Sequence, residues 1–310
     1  MSPAAGASWG SLRAPFTLPV ARIWFTGLDP EQLRSLESSY PAYLDSSHRG
    51  SGHGDEEVEC RALRLDKPPG LPIAALTRDG QYAPHTVAGP DSIDLIGLNF
   101  QARVPLYPSG EPGWLGVTQV HELVQPIVIE NFLRVFSAHQ ALRRGGVVLH
   151  SAGLVVEGRA YLFAGRSGAG KTTLTRKGHA AGAGVLSDDI NLVLPGSEGY
   201  EAHAVPFTGE FGRTLAHPGG RAAFPVAGLV LLDQGERLAT DRVNPSTAIA
   251  RLLAACPFVN MEAATSAPLF DALTGLVAGL PVIALRCRCD DGFDEIMTAV
   301  NDGFAHERAA

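Results

Sequence analysis

The chain has 310 residues, with 25 Lys plus Arg against 32 Asp plus Glu and a formal net charge of −7. Its 45% hydrophobic and 18% charged content excludes a disordered chain, and 35 Gly with 22 Pro but no triplet period excludes collagen and points to a turn-rich globular fold. The acidic balance argues against a nucleic-acid partner, which calls for a net basic face, and the length suits one large domain or two modest ones.

The first residues, Met1-Ser2-Pro3-Ala4-Ala5-Gly6, lack a basic start followed by an apolar run, so no secretory signal is read there and residues 1–15 read as a flexible lead-in. The longest near-continuous apolar stretch, residues 224–232, is far short of the about 20 residues that span a bilayer. A cytoplasmic protein without a membrane partner is the expectation. A strand over 21–25 comes next, then a short helix capped by Asp29 with Pro30 at its first position. Residues 46–57 carry no apolar side chain and read as a solvated loop, with His48 and His53 as loop residues. Alternating runs at 58–65, 73–76 and 93–98, punctuated by Pro and Gly, suggest an antiparallel β or α+β module.

From Pro126 the texture changes. Ile129, Phe132, Leu133 and Phe136 fall at i, i+3, i+4 and i+7, the stripe of an amphipathic helix, with Arg143, Arg144 and Gly145 suited to its last turn and stop. A domain boundary is placed here, dividing an N-terminal module (1–125) that meets substrate or partner from a second domain (126–310). Short strands are expected at 147–150 and 154–157, a turn at Glu157-Gly158, and an apolar strand at 160–164. A helix running to about Ala181 follows, then strands at 184–186, 191–194, 228–232 and 282–287. Helices are expected at 246–255, 267–278 and 293–299. Strands alternating with helices imply an α/β core with a mixed sheet. Cys60, Cys256, Cys287 and Cys289 are too few and scattered for a disulfide framework. Alternation puts Leu285, Cys287 and Cys289 on one strand face, where core packing is favoured over a metal site.

The sharpest signal lies between the 160–164 strand and the next helix: Gly165-Arg166-Ser167-Gly168-Ala169-Gly170-Lys171-Thr172 fits G-x-x-x-x-G-K-[ST]. Gly165, Gly168 and Gly170 let backbone N–H groups turn inward around phosphate oxygens, and the helix behind them presents its positive end to the same anion. Lys171 supplies a point charge to the β- and γ-phosphates, and the Thr172 hydroxyl is a ligand for Mg²⁺. The whole run from Gly165 to Thr173 is assigned to nucleotide binding, with ATP and Mg²⁺ as cofactors. Neither an N-K-x-D base-reading motif nor an L-S-G-G-Q signature is present. Instead Val185-Leu186-Ser187-Asp188-Asp189 places adjacent carboxylates at a strand end. Adjacent strand residues point to opposite sides, so one can face Mg²⁺ while the other reaches a substrate hydroxyl, although an ordinary Asp-Asp turn reads the same way.

Taken together, Val148-Leu149-His150-Ser151-Ala152-Gly153, Leu162-Phe163-Ala164 with the glycine loop, and Gly184-Val185-Leu186-Ser187-Asp188-Asp189 resemble the catalytic core of HPr kinase/phosphorylase over about residues 145–195. The resemblance implies a phosphoenolpyruvate-carboxykinase-like P-loop core with a mixed sheet, preceded here by a smaller α+β N-terminal domain. It implies Asp188 as the base for a serine hydroxyl, Asp189 in the metal site and His150 beside the γ-phosphate; from the residues alone His150 reads equally as a core or turn histidine. Thr173 stands where those kinases carry an acidic residue, and their later glycine-rich docking segment is not recognisable. The pattern is closer to HPr-kinase-related peptide kinases of lasso-peptide clusters. In the related kinases a Pro-aromatic-x-Gly-Glu segment follows the acidic pair, and Val205-Pro206-Phe207-Thr208-Gly209-Glu210-Phe211-Gly212-Arg213 is similar to it. The likeness implies Glu210 at metal or acceptor and Arg213 on the transferring phosphate; a surface loop is the alternative. His203 and His217 flank it as ordinary loop histidines. The expectation is an ATP- and Mg²⁺-dependent serine kinase acting on a peptide or small protein. A small-molecule kinase and a nucleotide-binding regulatory protein stay open. The kinases it resembles are oligomeric, so a homo-oligomer is implied, although the chain differs in the regions that would make such contacts.

Overall fold

The computed structural model describes residues 6–44, 56–70, 84–108, 110–207, 209–215, 223–260 and 263–308. The expectations for His48, His53, the run at 73–76, Thr208 and His217 lie outside the described residues. The chain divides into two compact units, Met1–Gln140 and Ala141–Ala310. Among the described residues no helix is long and apolar enough to cross a membrane.

The first unit contains β1 (Leu12–Thr17), β2 (Arg22–Leu28), α1 (Pro30–Ser39), α2 (Pro41–Leu44), β3 (Glu57–Arg64), β4 (His85–Ala88), β5 (Ser92–Ile96), β6 (Phe100–Pro105), β7 (Gly113–Val117) and most of α3 (Pro126–Arg143). The strands form one seven-stranded sheet in the order β1-β2-β3-β7-β6-β5-β4. The β2–β3 and β3–β7 pairs are parallel and the others antiparallel, so the unit is α+β with a mixed sheet. Alternation sends Ile23 and Phe25 of β2, and Val58, Cys60 and Ala62 of β3, into the core. The expected helix start is found: the Asp29 side chain accepts from Gln32 N while Gln32 returns to Asp29 N, a full capping box.

Residues 12–15 are not lead-in. Leu12–Thr17 is the edge strand of the sheet, and Phe16 packs edge-on against Phe25 and is stacked on Tyr43. Pro15 masks the strand in the sequence, but an edge strand tolerates a missing N–H. Helix α3 forms where its apolar stripe places it, yet burial extends beyond that stripe to Glu130, Asn131 and Gln140. These polar groups find partners: Glu130 pairs with Arg134, Asn131 Nδ2 donates to Ile127 O, and Gln140 Nε2 donates to Leu106 O. A helix buried all round is a core helix rather than an amphipathic surface one.

The same helix carries His139, whose imidazole burial pushes down to about 4. An unfolded chain takes up this proton near 6.5, so acidification from about 6.5 towards 4 favours the unfolded state. Folding stability is therefore expected to fall over that window by up to about 3 kcal/mol through this group. Urea titrations at several pH values check it: His139→Gln should flatten the slope, and an unchanged slope refutes the assignment.

The second unit contains β8 (Val147–Val156), β9 (Arg159–Ala164), α4 (Lys171–Ala180), β10 (Gly184–Ser187), β11 (Ile190–Gly196), β12 (Gly199–His203), β13 (Ala223–Gln234), β14 (Ala239–Arg242), α5 (Pro245–Ala254), α6 (Ala263–Gly279), β15 (Val282–Cys287) and α7 (Phe293–Arg308). The strands expected at 147–150 and 154–157 are one continuous β8. The Ser-Ala-Gly between them looks like a break but is where the strand changes partners: residues 147–150 pair with β11, and residues 151–156 with β9. Gly153 is required there, because a Cβ would stand 2.2 Å from Asn191 Oδ1. Strand β13 is shared in the same way, pairing first with β12 and then with β9 and β15. Glu157 and Gly158, at φ 50° and 75°, make the tight turn from β8 to β9.

Strands β9, β13 and β15 run parallel, and β14 closes the edge antiparallel to β15. Phe163, Leu174, Val230, Leu285, Ile296 and Val300 join strands, α4 and α7 in one core. Helix α7 runs well past the expected stop at 299. Gly303 falls inside it, where a Cβ would stand 2.9 Å from Ile283 Cδ1, so this glycine marks close helix–sheet approach rather than a helix end. Strand β15 ends at Cys287, leaving Cys289 exposed beyond it instead of in the core.

Candidate functional site

The site is built at the carboxyl ends of the parallel strands. The loop from Gly165 to Gly170 leaves β9 and enters α4. Gly168 and Gly170 have φ of 80° and 100°, the left-handed region that glycine alone enters without cost. Gly170 is the N-cap and offers no side chain, so the first N–H groups of α4 receive no side-chain cap, and the positive end of the helix faces the loop. Gly165 is fixed by crowding, since a Cβ would stand 2.7 Å from Leu232 O of the neighbouring β13. From the same strand end, Gln234 Nε2 donates to Gly168 O at 2.8 Å. Arg166, Ser167 and Gly168 form an exposed crest.

Lys171 opens α4 and is buried. Its Nζ donates to Gly165 O at 2.8 Å and Arg166 O at 3.1 Å, folding the side chain across the loop. Burial pulls its ammonium below the usual lysine range, and the nearby Asp189 carboxylate works against that shift. Thr172 is half-buried and Thr173 exposed on the first turn.

Asp188 and Asp189 lie in the turn between β10 and β11 rather than on the strand itself. The turn is shaped by Ser187, whose Oγ accepts from Asp189 N and Ile190 N at 3.2 and 3.1 Å. The carboxylates diverge as expected, but through turn geometry rather than strand alternation. Asp188 is buried and accepts from two backbone amides, Phe211 N on Oδ2 at 3.1 Å and Gly212 N on Oδ1 at 3.0 Å. Gly209 lies against it, since a Cβ there would stand 2.6 Å from the carboxyl carbon. Asp189 turns the other way, with Oδ1 3.3 Å from His150 Nε2 of β8. His150 is therefore at the site, held in register opposite Ile190.

Segment 209–215 is docked on α4. The Phe211 ring meets His179 edge-on, and the Arg176 guanidinium lies 5.5 Å over it. Glu210 and Arg213 are exposed on this segment, which joins the site through the amides that hold Asp188. His203 is 3.7 Å from Glu201 on its own strand β12. Among the described residues no three His, Cys, Asp or Glu side chains gather as a metal cage.

Two residues here escaped the sequence reading. Asn191 is buried, and its Nδ2 donates to Ser151 O at 2.7 Å and Ser151 Oγ at 3.1 Å, tying the acidic turn to β8. An Asn just beyond the Asp-Asp pair, inside an apolar strand, was the available signal. Gln234 comes from far along the chain and left no local trace.

The family described as SynChlorMet cassette protein ScmC matches the chain over residues 119–301. No curated protein matches. Among solved structures the chain is similar to the HPr(Ser) kinase/phosphatase from Coxiella burnetii at 13% identity, over 52% of this chain and 98% of that one, with a TM-score of 0.30. A likeness of that size carries no argument about activity.

Proposed function

The chain belongs to the SynChlorMet cassette protein ScmC family, and on that premise we propose that it is an ATP- and Mg²⁺-dependent kinase that phosphorylates a serine hydroxyl of a peptide or small protein. The matched segment contains the glycine loop, the acidic turn and His150. The observation that carries the reading is the placement of Lys171, the uncapped start of α4 and Asp189 around one loop with two left-handed glycines. That is an anion cradle with a carboxylate at its border.

In this reading the amides of residues 165–172 and Lys171 bind the phosphates of ATP within a P-loop, phosphoenolpyruvate-carboxykinase-like core. Thr172 and Asp189 are the donors available to Mg²⁺. They suit an ion held largely by phosphate oxygens, as Mg²⁺ usually is in such sites. When bound, Mg²⁺ neutralises charge that develops on the phosphates. Asp188 orients the acceptor and takes its proton as the serine oxygen bonds to the γ-phosphorus and the bond from that phosphorus to the bridging oxygen of ADP breaks. His150, beside Asp189, faces the transferring group. Glu210 and Arg213, exposed on the segment that Asp188 holds, meet acceptor or transferred phosphate.

The test is label transfer from γ-labelled ATP with Mg²⁺ to candidate peptides encoded beside this chain, a choice that the description "cassette protein" directs. Label on a peptide serine, lost on chelating Mg²⁺, is the expected result. Nucleotide binding without transfer to any acceptor refutes the kinase.

A further inference from the structure

A cavity of about 370 Å³ opens directly beside the glycine loop and shares Ala169 and Gly170 with it. One wall is a single face of α4, where Gly170, Thr173, Leu174 and Lys177 recur at helical spacing. The opposite walls are the end of β13 at Gln234 and Gly235, the chain leaving β15 at Cys287 and Arg288, and Ile296 of α7. Its depth is apolar, with Leu174 and Ile296 both buried, and its polar groups sit at the rim. The size falls in the range of small-molecule sites, about 300–1,000 Å³.

The far wall is pinned. Asp291, almost fully buried, accepts from Arg288 N at 2.7 Å and from its guanidinium at 2.9 and 3.0 Å, while Lys177 Nζ donates to Asp291 O. Both rim cations are thereby held in place, and no carboxylate stands among the lining residues. The Gln234 bond to Gly168 O couples the opposite wall to the loop crest. A slot with apolar walls, a cationic rim and a shared border with an anion cradle has the chemistry of one ligand class. That ligand carries a flat heteroaromatic group at one end and phosphates at the other.

We infer that this cavity receives the base of the nucleoside triphosphate, seated between the face of α4 and the end of β15, with Arg288 and Lys177 at its edge. The inference rests on the nucleotide reading above and adds the base subsite to it. The Cys287–Cys289 pair then acquires a role as cavity lining.

Those thiols provide the test. Cys289 is exposed and Cys287 half-buried, with burial pushing the Cys287 thiol up, whereas Cys60 and Cys256 are buried elsewhere. Iodoacetamide labelling of the full chain is followed by mass spectrometry with Mg²⁺ and either ATP or inorganic tripolyphosphate, and binding of each is measured by calorimetry. Labelling of Cys289 is expected to slow tenfold or more with ATP and to stay unchanged with tripolyphosphate. Cys289→Trp, which fills the cavity from an exposed position outside the phosphate loop, is expected to weaken ATP at least tenfold and leave tripolyphosphate binding intact. If ATP binds but protects no better than tripolyphosphate, or binds Cys289→Trp as well as wild type, the base subsite is refuted and the loop reading stands. If neither ligand binds, both are refuted.

Discussion

Replacing Lys171 with alanine is expected to slow γ-phosphate transfer by about 10²–10³-fold, the usual cost of removing one preorganised group that meets developing charge. On the proposed kinase reading, Lys171 is already held where that charge would develop. It is buried at the start of α4, and its Nζ is poised over the loop by Gly165 O and Arg166 O. Exchange of those two carbonyls for phosphate oxygens costs the lysine nothing in desolvation, because burial has already raised the energy of its charged form. For the same reason stability should barely suffer, and the urea midpoint should correspond to within about 1 kcal/mol of wild type. Lys171→Arg should not rescue, since a planar fork cannot replace a point charge in a closed loop. Turnover within tenfold of wild type would mean that Lys171 does not touch the phosphates.

Asp188→Asn has a larger and less simple expected outcome. Transfer should fall by about 10²–10⁴-fold if the carboxylate takes the serine proton. Stability should fall as well, by about 1–3 kcal/mol, because Phe211 N and Gly212 N each donate to one of its oxygens and an amide offers only one oxygen. Nucleotide affinity should stay near wild type, which separates this variant from Lys171→Ala. A stable fold with unchanged transfer would assign Asp188 to holding residues 209–215 alone and move the base elsewhere. Asp189→Asn is the comparator: its Oδ1 stands 3.3 Å from His150 Nε2 at the border of the loop, so its effect should appear in the Mg²⁺ requirement.

What could be read in the sequence was local. The glycine loop, the turn at Glu157-Gly158 and the Asp29 cap each depend on residues a few positions apart, and each is found in the fold. The helix from Pro126 and the apolar strands around 160, 190, 230 and 283 were legible from period alone. Non-local facts were not. Alternation shows that a run is a strand but not that β8 and β13 each serve three partners, so β8 read as two strands with a break at Ser151. The parallel pairing of β2, β3 and β7 likewise has no signature in any one segment. At the site, the pair of adjacent carboxylates was visible, but the amides that hold Asp188 come from more than twenty residues downstream. The short strands β4, β12 and β14 were missed because each is made by its partner's register rather than by an apolar run of its own.

The sharing of β8 and β13 has a consequence for how copies of this chain can associate. Strands β8, β9, β13, β12 and β11 pair in a closed circuit, so none of the five presents an unpaired ladder along its whole length. Among the described strands of this unit, only β10 and β14 lie at an end, each four residues long, and β14 carries Asp241 and Arg242. Short, charged borders are poor templates for joining sheets between molecules. Self-association through this unit would therefore proceed by helix faces and loops, leaving the backbone ladders of each copy to itself.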